Sequence, residues 1–213
     1  MQLWLRSRHS ITLLICATLF FTVLLLRYTA FRTVLSGWDI QLLYTLQHNR
    51  PKSLDRFFSF FTDITTYISA ALLLGITVRA IIKKSAALAR KALQFFVAVG
   101  IAAILSNTIK HLIDRERPFI TYPFIEKLST GGSPSFPSGH TTEVFAVATI
   151  LALLFPDRLF VILVFIWALI VAYTRMALGV HYPSDILGAA LLGSTTSLAT
   201  KAVFDHFTAH KLR

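Results

Sequence analysis

The sequence predicts an all-α integral membrane protein. It reads as a single domain over 1–213, a bundle of six transmembrane helices with a short interfacial helical segment between the first two. Three observations predict this. Of the 213 residues, 55% are hydrophobic and only 15% are charged, where a soluble domain carries about 25% charged residues. Long uncharged runs recur, each near the ~20 residues that cross a ~30 Å hydrocarbon core. The basic residues behind a formal net charge of +11 flank those runs. They form no Lys/Arg tract interleaved with aromatics in a soluble region, so they read as anchors to anionic headgroups, and nucleic acid is excluded as a partner.

The first span is expected over 9–29, where Arg6 and Arg8 precede the apolar run from Ile11 to Leu26. No A-x-A-like cleavage site follows it; Arg27 and Tyr28 do, so it is expected to remain as an uncleaved membrane helix. The one cysteine, Cys16, lies in this run, cannot form an intrachain disulfide and reads as a packing residue. Between this span and the next, 30–62 holds Trp38, Tyr44 and the aromatic cluster Phe57, Phe58, Phe60 and Phe61. That composition predicts one or two short amphipathic helices at the interface, where aromatic rings prefer to sit.

Further spans are expected over 63–82, 91–113, 139–155, 158–178 and 183–204. The fourth, closed by Pro156, is at the short end. Residues 114–138 hold Pro118, Pro123, Pro134 and Pro137 with Gly131 and Gly132, and read as a loop. Lys and Arg are almost evenly divided between the two sides. The short loop over 79–91 decides orientation: it carries Arg79, Lys83, Lys84, Arg90 and Lys91 and no acidic residue. It is expected inside, with the N-terminus.

Three stretches over 110–185 carry the chemistry, and all three fall on one side of the membrane in either orientation. In the first, Lys110 and Arg117 are seven residues apart, nearly two helical turns, so both are expected on one face, with Pro118 ending the helix. An ammonium and a guanidinium along one wall suit phosphoryl oxygens. In the second, Pro137-Ser138-Gly139-His140 enters a span. Ser138 is a good N-cap, Gly139 lets an oxyanion approach the backbone, and His140 projects from the first turn. In the third, Arg175 precedes His181 and Asp185, with Pro183 starting the last span. Asp185 can take a hydrogen bond from one imidazole nitrogen of His181 and free the other for attack. Each stretch alone has an ordinary reading: headgroup anchors, a helix cap, a solvated histidine with a capping aspartate.

Together they resemble the type 2 phosphatidic acid phosphatase superfamily, which also includes vanadium haloperoxidases and glucose-6-phosphatase. The family pattern is K-x6-R-P, then P-S-G-H, then S-R-x5-H-x3-D. The chain matches it with Lys110, Arg117 and Pro118; Pro137 to His140; and Arg175, His181 and Asp185. The one departure is Thr174 in place of serine, which keeps a hydroxyl. The resemblance implies that His181 is the nucleophile, that Asp185 orients it, and that His140 is general acid and then base. It implies that Lys110, Arg117, Ser138, Gly139 and Arg175 bind the phosphoryl oxygens. No cluster with metal-ligand spacing occurs elsewhere, so activity without a metal or other cofactor is expected, with inhibition by vanadate.

Glu143, one turn after His140, reads as a contact for a clamp cation or the substrate headgroup, with helix packing or interfacial solvation as the alternative. Asp114, Arg115 and Glu116 are expected to be solvated, Arg115 being the one that could reach a second phosphate. His111 and Tyr182 are given no role. Size and motifs resemble small bacterial members acting in the inner membrane on its outer side. The partner expected is a phosphorylated membrane lipid: first undecaprenyl diphosphate, by family analogy, then phosphatidylglycerophosphate, phosphatidic acid or lipid A 1-phosphate. The readings from other classes are a vanadium-dependent peroxidase and a non-catalytic membrane protein.

Overall fold

The computed structural model describes residues 37–132 and 134–210. The first expected span, 9–29, and Cys16 within it lie outside the described residues. Helix α1 covers 37–48. A single 3-10 turn, Lys52–Leu54, leads into α2 (Asp55–Asp63). The remaining helices are α3 (Thr65–Ile82), α4 (Ala86–Ile113), α5 (Pro118–Thr121), α6 (Gly139–Leu154), α7 (Arg158–Ala177) and α8 (Pro183–His210). Four of the helical stretches, beginning with α3, α4, α7 and α8, are long and apolar enough to cross a membrane; α6 is apolar but shorter.

Helix α6 is the axis of the bundle, packed against α4, α7 and α8. Its side chains from Val144 to Leu151 are almost all buried, as expected of a helix apolar on every side. On α4 the buried residues Ala92, Phe95, Ala98, Ala102 and Ile109 follow a three-or-four spacing, one stripe turned to the bundle. The outward faces carry Leu74, Ile81, Phe96, Ile104, Leu163 and Leu169, all exposed, where a soluble protein would carry charge. Side-chain caps close three helix starts: Ser85 for α4, Ser138 for α6 and Asp157 for α7.

The tightest approach is between α6 and α8. Ala189, Gly193 and Ser197 lie four apart on α8, and small residues at that spacing let backbones come close. A Cβ on Gly193 would stand 2.3 Å from the Thr142 carbonyl oxygen and 2.8 Å from the Ala146 nitrogen. The Ser197 hydroxyl donates to the Ala146 carbonyl at 2.8 Å.

Two expectations are corrected. Arg117 is not on the helix that carries Lys110. Helix α4 ends at Ile113, because Asp114 turns left-handed (φ 46°) and its N–H closes on the Lys110 carbonyl. Asp tolerates that conformation better than most residues. Pro118 starts a helix rather than ending one: it opens the one-turn α5, since Pro lacks only an N–H that a first turn leaves unused. The stretch 114–138 is therefore a loop interrupted by a helical turn.

Helices α1 and α2 do more than carry aromatics. Leu43 packs with Ile125 and Tyr182, and Phe58 packs with Ala177, Leu178 and Val180. Gln47 fixes the 122–128 segment from both sides: its amide donates to the Glu126 carbonyl at 2.7 Å and its oxygen accepts from the Glu126 N–H at 3.0 Å. Gly179 (φ 72°) lies beneath, where a Cβ would come within 2.4 Å of both groups. The Arg50 guanidinium holds the Glu126 carboxyl below the usual carboxylate range.

Gly193→Ala is expected to lower the thermal midpoint in detergent, at about 1–3 kcal/mol, because backbone rather than a flexible side chain must yield. Gly37→Ala, with nothing within 4 Å, serves as the neutral comparison.

Candidate active site

The three motif stretches converge on one cavity of about 600 Å³, lined by Lys110, Arg117, Gly139, His140, Arg175 and His181, with Glu143 and part of α4 continuing it. They arrive from separate elements. Lys110 is in the last turn of α4, Arg117 caps α5, Gly139 and His140 open α6, and Arg175 is in the last turn of α7. His181 lies in the bend before α8, and Asp185 is in the first turn of α8. The N–H groups of Gly139 and His140 start a helix and have no partner within it.

The cations are held by backbone oxygens. Lys110 Nζ donates to the Pro134 carbonyl at 2.8 Å, and Arg117 Nη1 to the Val180 carbonyl at 2.8 Å. Arg175, only 1% exposed, reaches Thr62 Oγ1 (3.2 Å), Ser129 Oγ (3.4 Å) and the Thr130 carbonyl (3.3 Å). A Cβ on Gly131 would stand 2.8 Å from Arg117 Nη1, so the loop backbone lies directly on that guanidinium.

Arg117 Nη1 is also 3.3 Å from His181 Nε2. A guanidinium can only donate, so Nε2 is the acceptor and the imidazole proton sits on Nδ1. Nδ1 faces Asp185 Oδ2 at 3.4 Å. This is an ionic contact, longer than the expected hydrogen bond, and Nδ1 makes no hydrogen bond. Asp185 Oδ2 instead takes Ser135 Oγ at 2.5 Å and the Tyr182 N–H at 2.9 Å. Burial pushes the His181 imidazole down to about 3, against the raising influence of Asp185.

Arg115 is neither solvated nor aimed at a second phosphate. Its Nη1 donates to Asp185 Oδ1 at 2.6 Å, and its Nη2 to Asp39 Oδ2 at 2.7 Å. Its guanidinium lies 3.9 Å from the centre of the Tyr182 ring. Asp39, fully buried on α1, also takes the Ser184 N–H (2.9 Å) and hydroxyl (2.5 Å). Sequence reasoning missed Arg115, Asp39 and Ser135. Asp39 left a signal: a lone carboxylate between Trp38 and Ile40 is costly in an interfacial helix unless paired.

Ser138 caps α6 as expected, its Oγ accepting from Thr141 N and Oγ1. It is buried and does not line the cavity. Thr174 turns its hydroxyl back to the Val171 carbonyl.

Residues 91–208, more than half of the chain, match the family model of the PAP2 superfamily. The chain belongs to the PAP2 superfamily. PAP2 relatives include a lipid A 1-phosphatase of Rhizobium johnstonii, 36% identical over 115 residues, which cover 51% of this chain and 46% of the relative. Another is an undecaprenyl-diphosphatase of Bacillus subtilis, 32% identical over 104 residues, 48% of this chain and 53% of the relative. The chain thus spans about half the length of the curated relatives it matches. Among solved structures it shares the fold of a PAP2-type phosphatidylglycerolphosphate phosphatase from Bacillus subtilis. The TM-score is 0.73, identity is 23%, and 91% of this chain and 96% of that one are covered.

Two tests follow from the buried network. Arg115→Met leaves the Asp39 and Asp185 carboxylates buried without their shared cation. It is expected to cost about 3–5 kcal/mol in thermal unfolding, with Arg115→Lys losing less. The second concerns pH. The unfolded chain binds a proton at His181 below its ordinary value of 6.5, the folded one only below about 3. Stability therefore falls as pH drops through that window, by at most about 1.4 kcal/mol per unit from this group. His181→Asn is expected to flatten that decline in melting curves recorded between pH 7 and pH 5.

Proposed function

We propose that this PAP2 protein is a membrane phosphatase that removes a terminal phosphate from a lipid through a phosphohistidine intermediate. The observation that carries the reading is the placement of His181 Nε2 3.3 Å from Arg117 Nη1, in a cavity walled by three cations. In the first step Nε2 attacks phosphorus as the bond to the lipid oxygen breaks. His140 gives that oxygen its proton, and Asp185 stabilises the charge gained by the imidazole. In the second step His140 takes a proton from water, the water oxygen attacks the phosphohistidine, and phosphate leaves. Lys110, Arg117, Arg175 and the amides at the start of α6 stabilise the equatorial oxygens in both steps.

The cavity continues along α4 past Ala103 to Val99, an apolar wall suited to the start of a lipid chain. The site is at the Lys110 end of α4. The basic loop is at the other end, so the cavity faces outward when that loop is cytoplasmic. In this reading the chain spans a bacterial inner membrane six times, with α1 and α2 at the outer interface. Relatives named for lipid A 1-phosphate and undecaprenyl diphosphate support a reading that covers phosphomonoesters and diphosphates.

Phosphate release from a panel of these lipids by the detergent-purified chain tests the proposal. His181→Ala is expected to abolish turnover, and Arg175→Ala to reduce it about 10²–10³-fold. Release is expected to continue in EDTA and to be inhibited by vanadate. Loss of release in EDTA, restored by a divalent cation, would overturn the metal-free mechanism.

A further inference from the structure

We infer that the cavity beyond His140 is a leaving-group subsite that selects a phosphomonoester on a hydroxyl-bearing headgroup over a diphosphate. This deepens the phosphatase reading and rests on it. The charge along the cavity is uneven. Among the described residues three cations line it: Arg117, 3.3 Å from His181 Nε2, and Lys110 and Arg175 in the last turns of α4 and α7. One turn past His140 the lining changes to Glu143, Thr66, Ser106 and Asn107, and among the described residues no Lys or Arg lines that part.

Glu143 is about 4.5 Å further along the α6 axis than His140, on the side leading toward Ala103 and Val99. His140 protonates the leaving oxygen, so the group attached to that oxygen comes to rest beside Glu143. Thr66 Oγ1 donates to Glu143 Oε2 at 2.8 Å and fixes the carboxylate. No described residue donates to Oε1, which is left to accept from the substrate. Beside it the exposed Asn107 lines the cavity and offers both a donor and an acceptor. A sugar or polyol leaving group satisfies this set, its hydroxyls donating to Glu143. The inner phosphate of a diphosphate would meet a carboxylate there, with no cation of its own. The expectation of undecaprenyl diphosphate as first substrate rested on analogy; this inference ranks the phosphomonoesters ahead of it.

Two lipids with the same dioleoylglycerol tails separate the cases: phosphatidylglycerol phosphate, a monoester on glycerol, and diacylglycerol pyrophosphate. The full chain in detergent is expected to show the higher kcat/KM on the monoester. Glu143→Gln keeps the shape and removes the charge, and is expected to shift the ratio about tenfold toward the pyrophosphate. Asn107→Lys adds a cation at an exposed lining position and is expected to shift it the same way, without relying on Glu143. A wild-type preference for the pyrophosphate, or a ratio unmoved in both variants while release still requires His181, would overturn this inference and leave the phosphatase reading standing. No His181-dependent release from either lipid would overturn both.

Discussion

The carboxylate of Asp185 ties together the end of the bundle that carries the cavity. It is fully buried, and a buried carboxylate persists only if its charge and lone pairs are met. Here they are met by groups from three segments: Arg115 after α4, Ser135 before α6, and the Tyr182 N–H beside His181. Arg115 carries the connection on to Asp39, and Asp39 returns it to Ser184 on α8. The loop holding Arg115 and Arg117, the segment holding His181 and helix α1 are thereby linked through Asp185, Arg115 and Asp39. Only Oδ2 is left near His181, and at 3.4 Å it shares that oxygen with two nearer donors. Asp185 thus builds the site first and assists the imidazole second.

This arrangement also explains what the sequence made legible. Helix boundaries were readable wherever one residue acts locally: Ser138 as a cap, Pro183 at a first turn, the apolar run of α7. Lys110, Arg117, Gly139, His140, Arg175 and His181, named by the family motifs, line one cavity, whereas Ser138 is spent on capping α6. Arg115 and Asp39 were not readable, since they are 76 residues apart in the chain and their pairing exists only after folding. The geometry of Lys110 and Arg117 was misread for a related reason. Seven residues suggested two turns of helix, but a left-handed Asp114 breaks the helix, and Arg117 reaches the same cavity from α5.

Charge is distributed around the cavity by function rather than by balance. Three cations share one end, and backbone carbonyls rather than carboxylates contact them there: Pro134 for Lys110, Val180 for Arg117, Thr130 for Arg175. Carbonyl dipoles hold a cation in place without cancelling its charge, so the cluster keeps its attraction for a dianionic phosphoryl group. The carboxylates stand behind, with Asp185 and Asp39 engaged by Arg115, or further on, at Glu143. The cation cluster and the Glu143 carboxylate therefore present opposite charge to anything that enters the cavity.

That separation has a consequence for selectivity. The terminal phosphoryl group is chemically the same on every lipid of the class, so the clamp and His181 cannot distinguish among them. Discrimination has to come from groups that touch the part of the substrate that differs, and those line the cavity past His140. The apolar stretch toward Val99 suits many tails. Among the described residues that line the cavity, Glu143 is the one carboxylate, and in the proposed reading it opposes a second phosphate and accepts from a hydroxyl. Under the proposed reading, catalysis and choice of substrate fall to successive turns of α6, with His140 beside the phosphate and Glu143 beside the group it was attached to.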